Sequence, residues 1–96
     1  MFDFQKLSVY QKAKGFNKEI ASLIKVQNFD TTTRDQLRRA SFSIMLNIAE
    51  GSSRFSNKDR KHYMVISRGS AFECVAILDY LQDNNEIDEF TYLDFF

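Results

Sequence analysis

The side chains that most often carry out catalysis are few in this chain and lie apart from one another. Cys74 and His62 are the single cysteine and the single histidine among 96 residues. A thiol nucleophile needs a base or a nearby cation, and the neighbours of Cys74 include no Lys, Arg or His. Metal and general-base sites need partners, which His62 lacks in sequence. We therefore expect Cys74 to be a buried structural thiol and His62 to lie at the surface or against a helix.

Other catalytic patterns are also missing from the sequence. Ser41 and Ser43 have no histidine nearby, the glycines do not form a phosphate-binding loop, and the acids of the last quarter lack metal-ligand spacing. The sequence therefore favours a non-enzymatic protein with no cofactor and no metal. The remaining enzymatic alternative is a hydrolase in which His62 meets an acid and a nucleophile in space.

The residues of this chain best suited to binding a ligand are its lysines and arginines, which can contact phosphate groups. Phosphate contacts require clustered positive charge but no fixed motif. The candidate nucleic-acid-binding residues lie near the two ends of the predicted second helix and at the start of the third: Arg34, Arg38, Arg54, Lys58, Arg60 and Lys61. Phe55, beside Arg54, could stack on a base or serve as a hydrophobic anchor of the helix turn.

The charges are unevenly distributed although the net charge is zero. Residues 1–70 hold all 13 bases and 6 acids, whereas residues 71–96 hold 7 acids and no base. This asymmetry lets a basic surface meet a polyanion. Alternatively, the two parts neutralise each other between packed helices or subunits.

Composition and periodicity predict one all-α domain over residues 1–96. The chain has no proline and three glycines, and apolar residues recur every three or four positions. An apolar content of 44% is too high for a disordered chain. We find no apolar run long enough to cross a bilayer and no secretory signal, which predicts a cytoplasmic protein without membrane contact.

Start and stop signals predict four helices, at about 7–26, 33–50, 56–83 and 88–96. We expect the first to expose Lys14, Lys18 and Lys25 on one face. The second would begin with a capping box between Thr33 and Gln36, and Gly51 would end it in the left-handed conformation. Ser56 would cap the third, and the fourth is truncated after about two turns.

The second helix is predicted to carry a narrow polar stripe on an otherwise apolar surface. The stripe consists of Gln36, Arg39, Ser43, Asn47 and Glu50. We expect it to form a hydrogen-bonded seam between helices. Glu50 lies in the last turn, where the helix dipole disfavours an anion, so it needs a cation such as Arg54, Arg60 or Arg68.

The apolar surface of two helices exceeds what one small domain can bury. The predicted oligomer interface is formed by Phe42, Leu46, Val65 and Phe72. A patch of small residues in the third helix would let a neighbouring backbone approach closely, and it consists of Ser67, Gly69, Ser70 and Ala71. In the simpler alternative, the second helix is only the central element of a monomer.

Several segments resemble a known family. QLRRASFSI, NIAEG, RFSNKD, SRGSAFE and the opening FQKLSVYQKA resemble the 23S rRNA intervening-sequence proteins, which are four-helix bundles. That family is in turn similar to the accessory variability protein of diversity-generating retroelements.

The resemblance implies an antiparallel up-and-down four-helix bundle that forms a homopentamer in bacteria and has no known catalytic activity. The retroelement relative binds nucleic acid and a reverse transcriptase through a basic surface. Five residues match the family motif, Arg38, Arg39, Asn47, Glu50 and Gly51, and the resemblance implies that they shape the turn and the subunit packing.

Two functional hypotheses follow from these observations. The first is a homo-oligomeric protein, expected to be a pentamer, that binds RNA or DNA through its basic residues. The second is a protein interaction or scaffolding module without nucleic-acid binding. In the second hypothesis, the acidic last quarter and the second apolar face recruit a protein partner.

Overall fold

The computed structural model describes residues 2–94, and the secondary structure in this range is helical. A short 3-10 helix at Asp3–Lys6 precedes four α-helices: α1 (Ser8–Val26), α2 (Thr31–Ser52), α3 (Asn57–Asp83) and α4 (Glu89–Asp94). The all-α class is confirmed, and the predicted helix bounds differ by a few residues. Residues 95 and 96, which were predicted to be helical, lie outside the described range.

The start of α2 differs from the prediction, because Asp30 rather than Thr33 is its capping residue. The Asp30 carboxylate accepts hydrogen bonds from the Thr33 N–H at 2.8 Å and from the Thr33 hydroxyl at 2.9 Å. These bonds to Thr33 hold the pKa of Asp30 below its ordinary value. The predicted capping box of Thr33 and Gln36 is wrong, since a carboxylate is favoured at the positive end of the helix dipole.

The start and the end of α3 follow local rules. As predicted, Ser56 caps α3 by accepting the Asp59 N–H at 3.1 Å. At the other end, Asn85 has a φ of 59°, and its N–H donates to the Gln82 carbonyl at 3.1 Å. The next N–H, of Glu86, donates to the Leu81 carbonyl at 2.9 Å, which completes a Schellman motif.

Gly51 does not end α2, and this prediction is wrong. The helix continues through Ser52, and no glycine of residues 2–94 has a positive φ. Gly51 is buried where α3 crosses α2, and a Cβ at this position would lie 3.0 Å from the Tyr63 Cβ and 3.1 Å from the Met64 Cε. Glycine is needed here for the close approach of two helices rather than for its backbone conformation.

α2 packs against both α1 and α3, whereas the α1 and α3 backbones do not approach each other within the described range. The buried core is formed by Ile20, Leu23, Phe29, Leu37, Ala40, Cys74, Leu78, Leu81 and Ile87. Phe29 lies in the connection before α2, and Ile87 lies in the connection after α3. Tyr92 of α4 packs on the same cluster. Complete burial of a large apolar side chain such as Leu37 contributes about 1.5–3 kcal/mol to folding.

An apolar groove separates α1 from α3 beside this core. Its volume is about 430 Å³, and it is lined by residues of all three long helices, including Val9 and Phe16 of α1, Ile44 and Ile48 of α2, and Met64 and Val75 of α3. Two cations, Lys12 and Arg68, also line it. The long helices thus leave an apolar surface between α1 and α3 that they do not cover themselves.

Two glycine variants test the close approach of α2 and α3. Gly69→Ala should raise the free energy of unfolding by about 0.5–1 kcal/mol, because alanine is the better helix former and nothing lies within 4 Å of the new Cβ. Gly51→Ala should lower it by about 1 kcal/mol, because the new methyl group overpacks against Tyr63. Urea denaturation followed by circular dichroism measures both. Equal stabilisation by the two substitutions would show that the α2–α3 contact is loose.

Candidate functional site

The predicted polar seam of α2 is present and connects α2 to α3. The Arg39 guanidinium donates to the Glu73 carboxylate of α3 at 2.8 Å and to the Gln36 side-chain oxygen at 2.8 Å. Both charged side chains are partly exposed, so the ion pair contributes at most about 1 kcal/mol. Its main effect is to fix the register of the two helices.

Small polar side chains extend this seam along the helices. Ser70 donates to the Ser43 hydroxyl at 2.8 Å, and the Asn47 amide donates to the same oxygen at 2.9 Å. Ser67, buried beside them, donates to the Ile44 carbonyl at 2.9 Å. Ser67 and Ser70 thus provide the predicted close approach within the chain. Gly69 does not, because it is exposed and a Cβ there would contact nothing.

A second cluster fixes the turn between α2 and α3. Arg54, one of the three arginines predicted as possible partners of Glu50, forms an ion pair with it. Arg54 also donates to the Tyr63 hydroxyl at 2.7 Å and lies 4.8 Å from the centre of the Tyr63 ring. The Arg60 Nε donates to the Arg54 carbonyl oxygen at 2.7 Å. Phe55 is 100% exposed, so it does not anchor this turn within the chain. Two of the candidate nucleic-acid-binding arginines therefore make structural contacts.

The other candidate cations do not form one patch. Arg34 and Arg38 lie in the first turns of α2, whereas Lys58 and Lys61 lie beyond its end. About 21 Å of helix separates Arg38 from Ser52 at a rise of 1.5 Å per residue. The candidate cations thus form two sets at opposite ends of α2, in keeping with their predicted positions near the two ends of this helix.

Sequence reasoning left the lysines of α1 out of the candidate set. The Ser41 hydroxyl of α2 donates to the Asn17 side-chain oxygen of α1 at 2.9 Å, which fixes how the two helices face each other. Lys18 and Lys25 are exposed on α1, as predicted, whereas Lys14, which was also predicted to be exposed, is half-buried. Their helical spacing, which places them on the same side of α1, was the feature of the sequence that could have added them to the candidate nucleic-acid-binding residues.

The predicted oligomer interface consists of two separate surfaces. Phe42 and Leu46 of α2 are 38% and 53% exposed, and helical spacing places them opposite Ile44, which lines the groove. Val65 and Phe72 of α3 are 58% and 62% exposed. The Phe72 ring lies 5.5 Å from the guanidinium of Arg68, a residue of the groove lining. All four residues are accessible, but they face different sides of the molecule.

The lone cysteine and histidine occupy the predicted environments. Cys74 is 1% exposed, and burial, with a smaller effect of the Glu73 charge, raises the pKa of its thiol to about 12. His62 is exposed, and its ring lies 5.3 Å from the Tyr63 ring. Within residues 2–94, no group of three or more His, Cys, Asp or Glu side chains could hold a metal ion. No helix in this range has the length and apolar character needed to cross a membrane.

Comparison with known proteins gives one result. The sequence matches the family model described as 23S rRNA-intervening sequence protein over residues 5–96, a range that includes α1 to α4 and both polar clusters. No curated protein and no solved structure matches the chain.

The buried thiol gives a test of the core. Native protein should not react with an aromatic disulfide reagent at mildly alkaline pH, whereas the urea-unfolded chain should react completely. Because the pKa is raised in the folded state, Cys74 should stabilise the fold below the pKa of the unfolded thiol, about 9, and lose this effect as pH rises towards about 12. Cys74→Ala combined with Val26→Cys is the control, since Val26 is 77% exposed and lies outside the predicted oligomer interface, so its thiol should react in the native state. Rapid reaction of native Cys74 would contradict the burial.

Proposed function

Because the chain belongs to the 23S rRNA-intervening sequence protein family, we propose that it is a non-enzymatic, cytoplasmic protein that assembles with its own copies and binds nucleic acid through a basic surface. The observation that carries this proposal is the combination of uncovered apolar surfaces with exposed cations that form no ion pair with the described residues. The apolar surfaces are suited to contact with another protein surface, and the exposed cations are suited to binding a polyanion.

We propose that the helices form an antiparallel bundle whose fourth position is the groove between α1 and α3. Short connections join α1 to α2 and α2 to α3, and helices that pack on each other across such connections run in opposite directions. α4 lies beside the core and has six residues, about 9 Å of helix. α1 has 19 residues, about 29 Å, so α4 spans about a third of its length.

The apolar surfaces support self-assembly into a ring. Phe42 and Leu46 face one side, while Phe72 and the groove lining face another. When two different surfaces of identical subunits meet, the assembly closes into a ring if the rotation permits. We propose five subunits, the number that the family resemblance implies.

Solution mass tests this assembly. Light scattering should give a mass of about five times the 11.3 kDa chain. Leu46→Asp and Phe72→Asp should each shift the mass towards that of one chain, because a carboxylate must be desolvated at the contact. Val26→Asp is the matched control: Val26 is 77% exposed but outside the proposed surfaces, so the oligomer should persist. A monomeric wild type at micromolar concentration would refute self-assembly.

Nucleic-acid binding is supported by the charge distribution. Bases outnumber acids 13 to 6 in residues 1–70. Arg38 is exposed and, unlike its neighbour Arg39, forms no ion pair in the described part of the chain. Such cations can replace condensed counter-ions around phosphates, which makes binding sensitive to salt and tolerant of sequence.

The adjacent arginines give a matched test of this binding. The affinity for labelled RNA or DNA duplexes, measured by fluorescence anisotropy, should fall steeply as salt rises. Arg38→Ala should weaken binding to all sequences alike and lower the salt slope by about 1. Arg39→Ala should mainly reduce stability, since Arg39 is paired with Glu73. Unchanged anisotropy at low salt with micromolar wild type would exclude nucleic-acid binding.

One observation favours the second hypothesis, a protein interaction module. The groove has an apolar lining and the two cations Lys12 and Arg68, a chemistry that suits an acidic amphipathic helix of a protein partner. Nuclease treatment before a pull-down distinguishes this hypothesis from nucleic-acid binding, because a direct protein contact survives the treatment.

A further inference from the structure

We propose that the nucleic-acid backbone docks on the outer face of α1 and α2 rather than on the α2–α3 turn. We define the outer face by its five cations, Lys14, Lys18, Lys25, Arg34 and Arg38. This inference rests on the proposed nucleic-acid binding and identifies the surface responsible. Three of the five residues were not among the candidates from sequence, and four of those candidates lie elsewhere.

The Ser41–Asn17 hydrogen bond places the five cations on the same side of the molecule. At about 100° per residue, Lys14 and Lys25 lie within roughly 80° of Asn17 around the α1 axis, and Lys18 within roughly 100°. Arg34 and Arg38 lie within roughly 60° of Ser41 around the α2 axis. The buried residues Ile20 of α1 and Leu37 of α2 are rotated from Asn17 and Ser41 in the direction opposite to the cations. The outer face therefore lies away from the core: Lys18, Lys25, Arg34 and Arg38 are exposed, and Lys14 is half-buried at its edge.

The lysines of α1 and the arginines of α2 also lie at similar levels along the two helix axes. With Asn17 opposite Ser41 and the helices in opposite directions, Arg38 lies opposite Ile20, between the levels of Lys18 and Lys25. Lys14 and Lys25 are about 17 Å apart along α1. This length corresponds to about five phosphates of one strand, at about 3.4 Å per nucleotide. The outer face thus has the dimensions of a short stretch of nucleic-acid backbone.

The charges of the outer face are available for binding. Within the described range, the three lysines and Arg38 form no ion pair, and Arg34 has only a loose contact of 3.7 Å with the adjacent Asp35. The single acid of α1, Glu19, lines a hollow together with Lys18 of the outer face and Thr91 of α4, but it forms no ion pair within the described range.

The α2–α3 turn has less free charge. Glu50 and Tyr63 engage the Arg54 guanidinium, and Arg60 donates to the Arg54 carbonyl oxygen. Lys58 and Lys61 remain exposed, but Asp59 lies between them in sequence. The outer face therefore offers more uncompensated cations over a longer distance, and we expect it to dominate the attraction to phosphates.

Two triple variants with the same change in charge test this assignment. The outer-face triple is Lys18→Gln, Lys25→Gln and Arg38→Gln, and the control triple is Lys6→Gln, Lys58→Gln and Lys61→Gln. All six positions are exposed. Binding of a labelled DNA duplex at low salt is followed by fluorescence anisotropy across a salt series, and far-UV circular dichroism confirms that both variants are folded.

The outer-face triple should bind at least about tenfold more weakly and lower the log–log salt slope by about 3, because three phosphate contacts are lost. The control triple should change the slope by less than about 1. Equal losses in both triples, or a larger loss in the control, would overturn the outer-face assignment while leaving nucleic-acid binding intact. A wild type that does not bind the duplex would overturn both.

Discussion

The fold depends on the burial of α2 on two sides at once. Leu37 and Ala40 are completely buried, and Gly51 lets α3 pack on α2 so closely that a Cβ there would lie 3.0 Å from the Tyr63 Cβ. Because α2 packs on both neighbours while α1 and α3 remain apart, the three long helices leave a groove between the outer two. The uncovered apolar surface follows from this arrangement, because the sides of α1 and α3 that line the groove do not pack on each other.

The packing of the helices divides the arginines into those with a carboxylate partner and those without one among the described residues. Arg39 and Arg54 have carboxylate partners. The Arg39–Glu73 pair connects α2 to α3, and the Arg54–Glu50 pair connects the α2–α3 turn to α2. Arg38, next to Arg39 but rotated by about 100° around the helix axis, has no such partner among the described residues. A guanidinium has the same donors in each case, so its partner decides whether it is available to an external anion. The proposed binding surface is therefore set by helix packing rather than by the number of basic residues.

The proposed activities use different parts of the surface. The outer face of α1 and α2 is basic, whereas the exposed side chains Phe42, Leu46, Val65 and Phe72 are apolar. Assembly through the apolar surfaces would repeat the outer face around a ring. Repetition of a weak, salt-sensitive contact raises the overall affinity without any new contact within a subunit. The two proposals thus support each other physically, although each can be tested alone.

The sequence by itself determined what depends on near neighbours. The helical class, the cap at Ser56, the need of Glu50 for a nearby arginine, the burial of Cys74 and the polar stripe of α2 were all predicted, because periodicity and contacts within four residues encode them. Only the tertiary structure decided why Gly51 is a glycine, why Phe29 and Ile87 are buried in connections, and which cations share a face. Contacts such as Arg39–Glu73 join residues 34 positions apart. Their partners are chosen by how whole helices pack, a property that no local pattern contains.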